Sequence, residues 1–360
     1  MGLSIGYNGS ARARADFREI RWPIARVGLK QWFTRGIMAD MACWFLSACT
    51  EAGVASRSAL KISEQGSDLV GRELVSPIEE RSRVRGDGRE IPAIVLFPDD
   101  YSSRRHYPLV LTIHNFGGGP WRIAGMMEAE RLRKAGSIVI LPQAAGLAVA
   151  DWQGAGITLT FVHRGKGGRP VDDVAGLINL LSVARELYRI DGGNVNLAGF
   201  SQGATLAFEV ARQLELQGPG RVRRVFAVAG GGVQAVPQSL GYPGADIIHY
   251  EPGRNALQRL ANWKTGEPAE IEFIPAIVAP KGCNLREHVS ADGVDTQVYA
   301  CRDEGSVTRI YEQYGEHAWP GQPAKYDIWL LGSGSTSRVK FSDLMISKIV
   351  SSAAPAIAAK

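Results

Sequence analysis

Residues Gly199 to Gly203 (GFSQG) set a serine between two glycines in the pattern G-x-S-x-G. Such a spacing suits a tight strand-to-helix turn that exposes a nucleophilic hydroxyl. Five residues match by chance in many chains, so the flanks decide. A strand-like run, Asn194 to Ala198 (NVNLA), precedes the turn, and a helix-like stretch, Ala204 to Leu216, follows it, as this chemistry requires. A serine hydroxyl is a weak nucleophile at neutral pH and needs a base within hydrogen-bond reach. His317 fits that role, because it lies beyond Ser201 in GEHAWPG (Gly315 to Gly321), directly after the strand-like Val307 to Tyr314. Of the other histidines, His106, His163 and His288 sit in polar segments, His249 lies within a strand, and His114 ends one.

Attack on a carbonyl generates an oxyanion that needs two N–H donors. One is the backbone N–H of the residue after the nucleophile, here Gln202. The other comes from the loop after an early strand, and His114-Asn115-Phe116-Gly117-Gly118-Gly119 assigns it to the N–H of Phe116. The same glycines read as a phosphate cradle would require a Lys-Ser/Thr after them, and none follows. The third group should be a carboxylate that orients the base. Glu251, at the end of the strand DIIHY and before Pro252, is the first choice; Asp246 before the same strand is the second, and acids between 292 and 304 come after. The predicted reaction runs on these side chains without a metal or organic cofactor.

These residues need a scaffold, and the chain offers one. Ile91 to Phe97, Tyr107 to His114, Ser137 to Leu141, Val222 to Ala229 and Asp246 to Tyr250 read as strands. Met126 to Ala135, Val171 to Tyr188, Leu257 to Trp263 and Phe341 to Ser351 read as helices. The alternation predicts an α/β fold, a mostly parallel central sheet with helices on both faces. Residues 264–306 are the least regular stretch and are expected to form an insertion near the site. Residues 1–70 show no sustained period and are taken as leader and linker, with 71–360 as one catalytic domain.

In the leader, Lys30 and Arg35 precede an apolar run from Gly36 to Ala48, broken by Asp40 and followed by small residues. This is the pattern of a weak secretory signal. Leu46-Ser47-Ala48-Cys49 resembles a bacterial lipobox, which would lipidate Cys49 and place the protein outside the cytoplasm. The alternative is a disordered or mis-assigned N-terminal extension. Only Cys283 and Cys301 remain in the body, too few for a zinc site. They would pair if the protein is exported and stay free thiols if it is cytosolic. The composition, 45% hydrophobic and 21% charged, is that of a globular protein. The formal net charge of +5 comes from scattered Lys and Arg with no groove-reading motif, which argues against a nucleic-acid partner.

Taken in order, YPLVLTIHNFGGG, VDDVAGLINLL, YRIDGGNVNLAGFSQGA and GEHAWPG resemble the esterase family typified by bacterial polyhydroxybutyrate depolymerases of the LpqC type, which includes feruloyl and acetylxylan esterases. The likeness spans about residues 85–350. It implies an α/β-hydrolase fold, a catalytic triad, an oxyanion hole, export, and a disulfide that Gly282-Cys283 with Cys301 would match. It also implies a small-molecule or polymeric ester as substrate: a polyhydroxyalkanoate, feruloyl or acetyl ester. Three positions depart from the family: Asn115 and Ala204 stand where glycines are usual, and the family's His-Gly-x-x-Asp acid segment is not recognisable around His249 to Asn255. The alternatives are a serine peptidase or amidase of the same fold, and a non-catalytic relative that binds a polymer. Trp319 and Trp152 read equally as pocket walls or as core.

Overall fold

The computed structural model describes residues 69–76, 79–86, 89–115, 118–144, 173–218, 221–230, 244–254, 277–279, 281–302, 305–322 and 337–351. The leader, with Cys49, and the expected helix Leu257 to Trp263 lie outside them, as do Trp152 and His163. Among the described residues eleven strands form one sheet in the order β1-β2-β3-β5-β4-β6-β7-β8-β11-β10-β9. The first three, β1 (Leu69–Ser76), β2 (Glu79–Gly86) and β3 (Arg89–Leu96), make an antiparallel flank. The centre is parallel: β5 (Ile138–Pro142), β4 (Tyr107–Ile113), β6 (Ile190–Phe200), β7 (Arg224–Val228), β8 (Asp246–Arg254) and β11 (Ser306–Glu316). A second antiparallel flank, β10 (Val294–Ala300) and β9 (Asn284–Ala291), closes the far edge.

Side chains on a strand alternate between faces, and here each face meets helices. Leu109, Leu111, Val195, Leu197, Val225 and Ile247 join Leu177 and Leu181 of α3 (Asp173–Leu187) and Leu206 and Val210 of α4 (Gln202–Gln217) in one core. Their neighbours Val110, Val139, Ala198, Phe226 and Ile248 face the other way. They pack on Ile123 of α1 (Pro120–Met126), Leu132 of α2 (Ala129–Lys134) and Phe341 and Met345 of α5 (Phe341–Ser351). Central parallel strands covered on both sides explain the continuous apolar runs in the sequence. The predicted mostly parallel sheet with helices on both faces is therefore the observed one.

Two expectations need correction. The helix expected over Met126 to Ala135 is two short helices, because Glu128 takes a left-handed conformation (φ 56°) between them. The part of 264–306 that is described is regular: residues 284–300 form the β9–β10 hairpin, which lengthens the sheet. Its turn, Asp292-Gly293, has both residues at positive φ (54° and 77°), the geometry for which Asp-Gly is favoured. Every residue of β9 is exposed, so no apolar alternation marks it in the sequence.

Cys283 and Cys301 form a disulfide across the base of this hairpin, with a sequence separation of 18. Closing a loop of that length restricts the unfolded chain by about 3 kcal/mol. A Cys283→Ser, Cys301→Ser double variant is expected to lose about that much stability in urea unfolding, and reduction of the wild type should reproduce the loss. An unchanged urea midpoint would show that the bridge adds nothing to the fold.

Candidate active site

Three parallel strands end on one edge of the sheet, and each ends in a residue of interest: β4 runs into His114, β6 into Ser201 and β11 into His317. This carboxyl edge is where open α/β sheets carry their sites. Ser201 lies between β6 and α4 with φ 54° and ψ −120°, a backbone region that a side-chain-bearing residue enters only when the surroundings force it. Here they do. The Ser201 N–H donates to the carbonyl of Val228 at 2.8 Å, and the Ser201 carbonyl accepts the N–H of Ala204 at 3.0 Å. A Cβ on Gly199 would strike the backbone of Gly203, and one on Gly203 would strike the carbonyl of Ile113. The two glycines of the motif are thus demanded by close backbone approach between β6, α4 and β4.

The imidazole of His317 reaches this turn, with Nε2 2.9 Å from Ser201 Oγ. Its ring lies 5.2 Å from that of Phe200, and it is 5% exposed. Burial pushes its pKa down to about 4, so the ring is neutral at neutral pH and able to accept a proton. The loop that carries it is anchored from below. Trp319 is fully buried, donates from Nε1 to Ser342 Oγ at 3.0 Å, and packs edge-on against Phe341 at 5.4 Å. Trp319 is core rather than a pocket wall.

The predicted oxyanion donors are placed in part. Gln202 is the first residue of α4, so its N–H lies at the positive end of the helix; Phe116 lies outside the described residues. The loop after β4 is pinned by His114, whose Nδ1–H donates to the Asn115 carbonyl at 2.7 Å while Nε2 accepts the N–H of Ala144 at 3.1 Å. Asn115 also accepts the N–H of Gly118 through its carbonyl. His114 is a framework residue that only its position at the end of a strand hinted at.

The structure does not join Glu251 to His317. The carboxylate of Glu251 is buried and takes two donors from the Arg309 guanidinium, at 2.8 and 3.0 Å. Parallel pairing of β8 with β11 sets His249 opposite Arg309 and Glu251 opposite Tyr311, which brings the pair onto one face. Asp246, the second choice, accepts from the Ser306 N–H and Oγ–H and faces Arg224. His249 supports the elbow instead, since its Nε2–H donates to the carbonyl of Gly230 at 3.1 Å, and a Cβ on Gly230 would meet the backbone of Ser201. A cleft of about 380 Å³ between α3 and α4, lined by Ile178, Asn179, Glu209 and Gln213, includes none of these residues.

A family model described as Thioesterase domain matches residues 164–237, the stretch holding α3, β6, the Ser201 turn and β7. No curated protein matches the chain. Among solved structures, a dienelactone hydrolase-like promiscuous phosphotriesterase from metagenomic libraries is 13% identical, with 76% of this chain and 97% of that one covered at a TM-score of 0.52. The chain has the α/β-hydrolase fold. An esterase from Rhizomucor miehei (12% identity, 92% of each chain, TM-score 0.44) and an acetyl xylan esterase from Aspergillus awamori (12% identity, 62% of this chain and 87% of that, TM-score 0.40) are also similar.

His114 and His249 are fully buried, and burial lowers both to about 4. Because the unfolded chain takes up these protons first, at about 6.5, stability is unaffected above that pH and falls as pH drops towards 4. The slope is on the order of 1.4 kcal/mol per pH unit for each histidine. Urea unfolding between pH 7 and 5 should show this loss, and His249→Gln, which keeps a donor to Gly230, should flatten it by one proton. A wild-type stability independent of pH over that window would contradict the buried neutral state.

Proposed function

We propose that this protein is a serine hydrolase of carboxylic esters that works through an acyl-enzyme. The observation that carries the reading is the 2.9 Å approach of His317 Nε2 to Ser201 Oγ at a strained turn whose serine opens onto a helix N-terminus. Ser201 Oγ attacks the ester carbonyl while His317 Nε2 takes the hydroxyl proton; the tetrahedral oxyanion is met by the N–H groups of Gln202 and Phe116. His317 then returns the proton to the leaving alcohol, and water, deprotonated by the same imidazole, releases the acid. Burial keeps the His317 ring neutral at neutral pH, so Nε2 has a lone pair with which to take the serine proton.

The substrate we propose is a polyhydroxyalkanoate, feruloyl or acetyl ester, on the strength of the sequence likeness around GFSQG and HAWPG. Export is the matching proposal for location. The Cys283–Cys301 disulfide suits an oxidising compartment, and the lipobox-like segment ending at Cys49 would supply an anchor.

Hydrolysis of a p-nitrophenyl ester series from acetate to octanoate tests the activity directly. Wild type should turn over, and Ser201→Ala and His317→Ala should each lose about a thousandfold or more in kcat, with unchanged circular dichroism. A fluorophosphonate should label wild type at Ser201. An unlabelled wild type without turnover would overturn the hydrolase in favour of a polymer-binding relative, and cleavage of amides in preference to esters would overturn the ester specificity.

A further inference from the structure

Two buried polar atoms on adjacent residues, Nδ1 of His317 and Oε2 of Glu316, have no hydrogen-bond partner among the described residues. Each is an expensive condition, worth about 1–3 kcal/mol when nothing compensates it. For His317 it is also a chemical one. Nε2 can take the Ser201 proton only if the neutral ring carries its own proton on Nδ1, and an Nδ1–H without an acceptor does not hold that tautomer.

The acidic residues of the two strands that lead to this loop are otherwise committed. On β8, Glu251 is held by Arg309, and Asp246 by Ser306 and Arg224. On β11, Glu312 accepts from the Tyr250 hydroxyl at 2.6 Å, from Ser337 Oγ at 2.6 Å and from the Arg338 N–H at 2.9 Å. Glu316 is the remaining carboxylate on either strand. Glu316 is the last residue of β11, opposite Arg254 of β8, and the Ala318 N–H donates to its carbonyl at 2.7 Å, closing a three-residue turn with His317 at its apex. The strand alternation therefore stops at His317, which the turn rather than the sheet orients.

Resting on the serine-hydrolase reading above, we infer that Glu316 is the positioning residue for His317: its carboxylate, by rotation of its own side chain, accepts the Nδ1–H. That one contact satisfies both orphaned atoms. Throughout the reaction the serine proton moves to Nε2 and on to the leaving alkoxide; the Nδ1 proton stays on the ring, and the Glu316 carboxylate opposes the charge of the imidazolium. The family likeness leaves this role open, since its acid segment is not recognisable around His249 to Asn255.

The test compares wild type, Glu316→Gln, Glu251→Gln and Ser201→Ala as full chains. Glu316→Gln should lower kcat by about a hundredfold or more with KM nearly unchanged. It should also move the acid limb of the kcat/KM profile to lower pH, since the imidazolium loses its counter-charge; a merely structural role would not shift that limb. Glu251→Gln should cost far less. Proton NMR of the His317 ring is independent of turnover: a downfield Nδ1–H resonance should be present in wild type and in Ser201→Ala and lost in Glu316→Gln. If Glu316→Gln keeps wild-type turnover and resonance, or if Glu251→Gln carries both losses, the inference is overturned. A wild type that turns over no ester but keeps the Glu316-dependent resonance would sink the hydrolase and leave the pair standing.

Discussion

The left-handed turn at Ser201 is the constraint on which the rest of the architecture depends. A residue with a Cβ at φ 54° and ψ −120° costs about 1–3 kcal/mol in backbone strain, and two strands and a connecting segment share in holding it. β7 receives its N–H through Val228, β4 crowds Gly203 through Ile113, and the segment after β7 presses on it at Gly230. The strain has a use: it lifts the hydroxyl off the end of β6 and points it past the N-terminus of α4.

Desolvation is the second organising force. His114, His249 and His317 all lie at the carboxyl edge of the sheet, and burial lowers each to about 4. All three are therefore neutral in the folded protein near neutral pH, yet only one meets the serine. His114 bridges the loops after β4 and β5, and His249 ties β8 to the segment behind Ser201. The same low-dielectric setting that keeps the His317 ring neutral makes the two framework histidines rigid hydrogen-bonding struts.

Carboxylates are sorted by their neighbours rather than by their place in the chain. Glu251 stands near the end of the strand where the orienting acid of this fold is expected, but the β8–β11 register puts Arg309 on the same face, and a charged guanidinium giving two donors to one carboxylate oxygen outcompetes a neutral imidazole. Glu312 is drawn to Tyr250, whose hydroxyl is raised well above its usual range by burial and by that carboxylate. Among the described residues, Glu316 is the acid of β8 and β11 without such a pairing.

The sequence by itself determined the alternation of strands and helices, the Ser201 turn and the histidine after the last strand. Each of these is a local signal: a run of apolar residues buried on both faces, glycines where backbones touch, and a fixed order along the chain. The β9–β10 hairpin escaped because an exposed edge strand has no apolar period, although Asp292-Gly293 marked its turn. Glu251, His249 and Arg309 could not be read the same way. Whether a carboxylate meets an imidazole or a guanidinium depends on which strands become neighbours and in what register, and those pairings join residues about sixty positions apart. Only the folded sheet decides them.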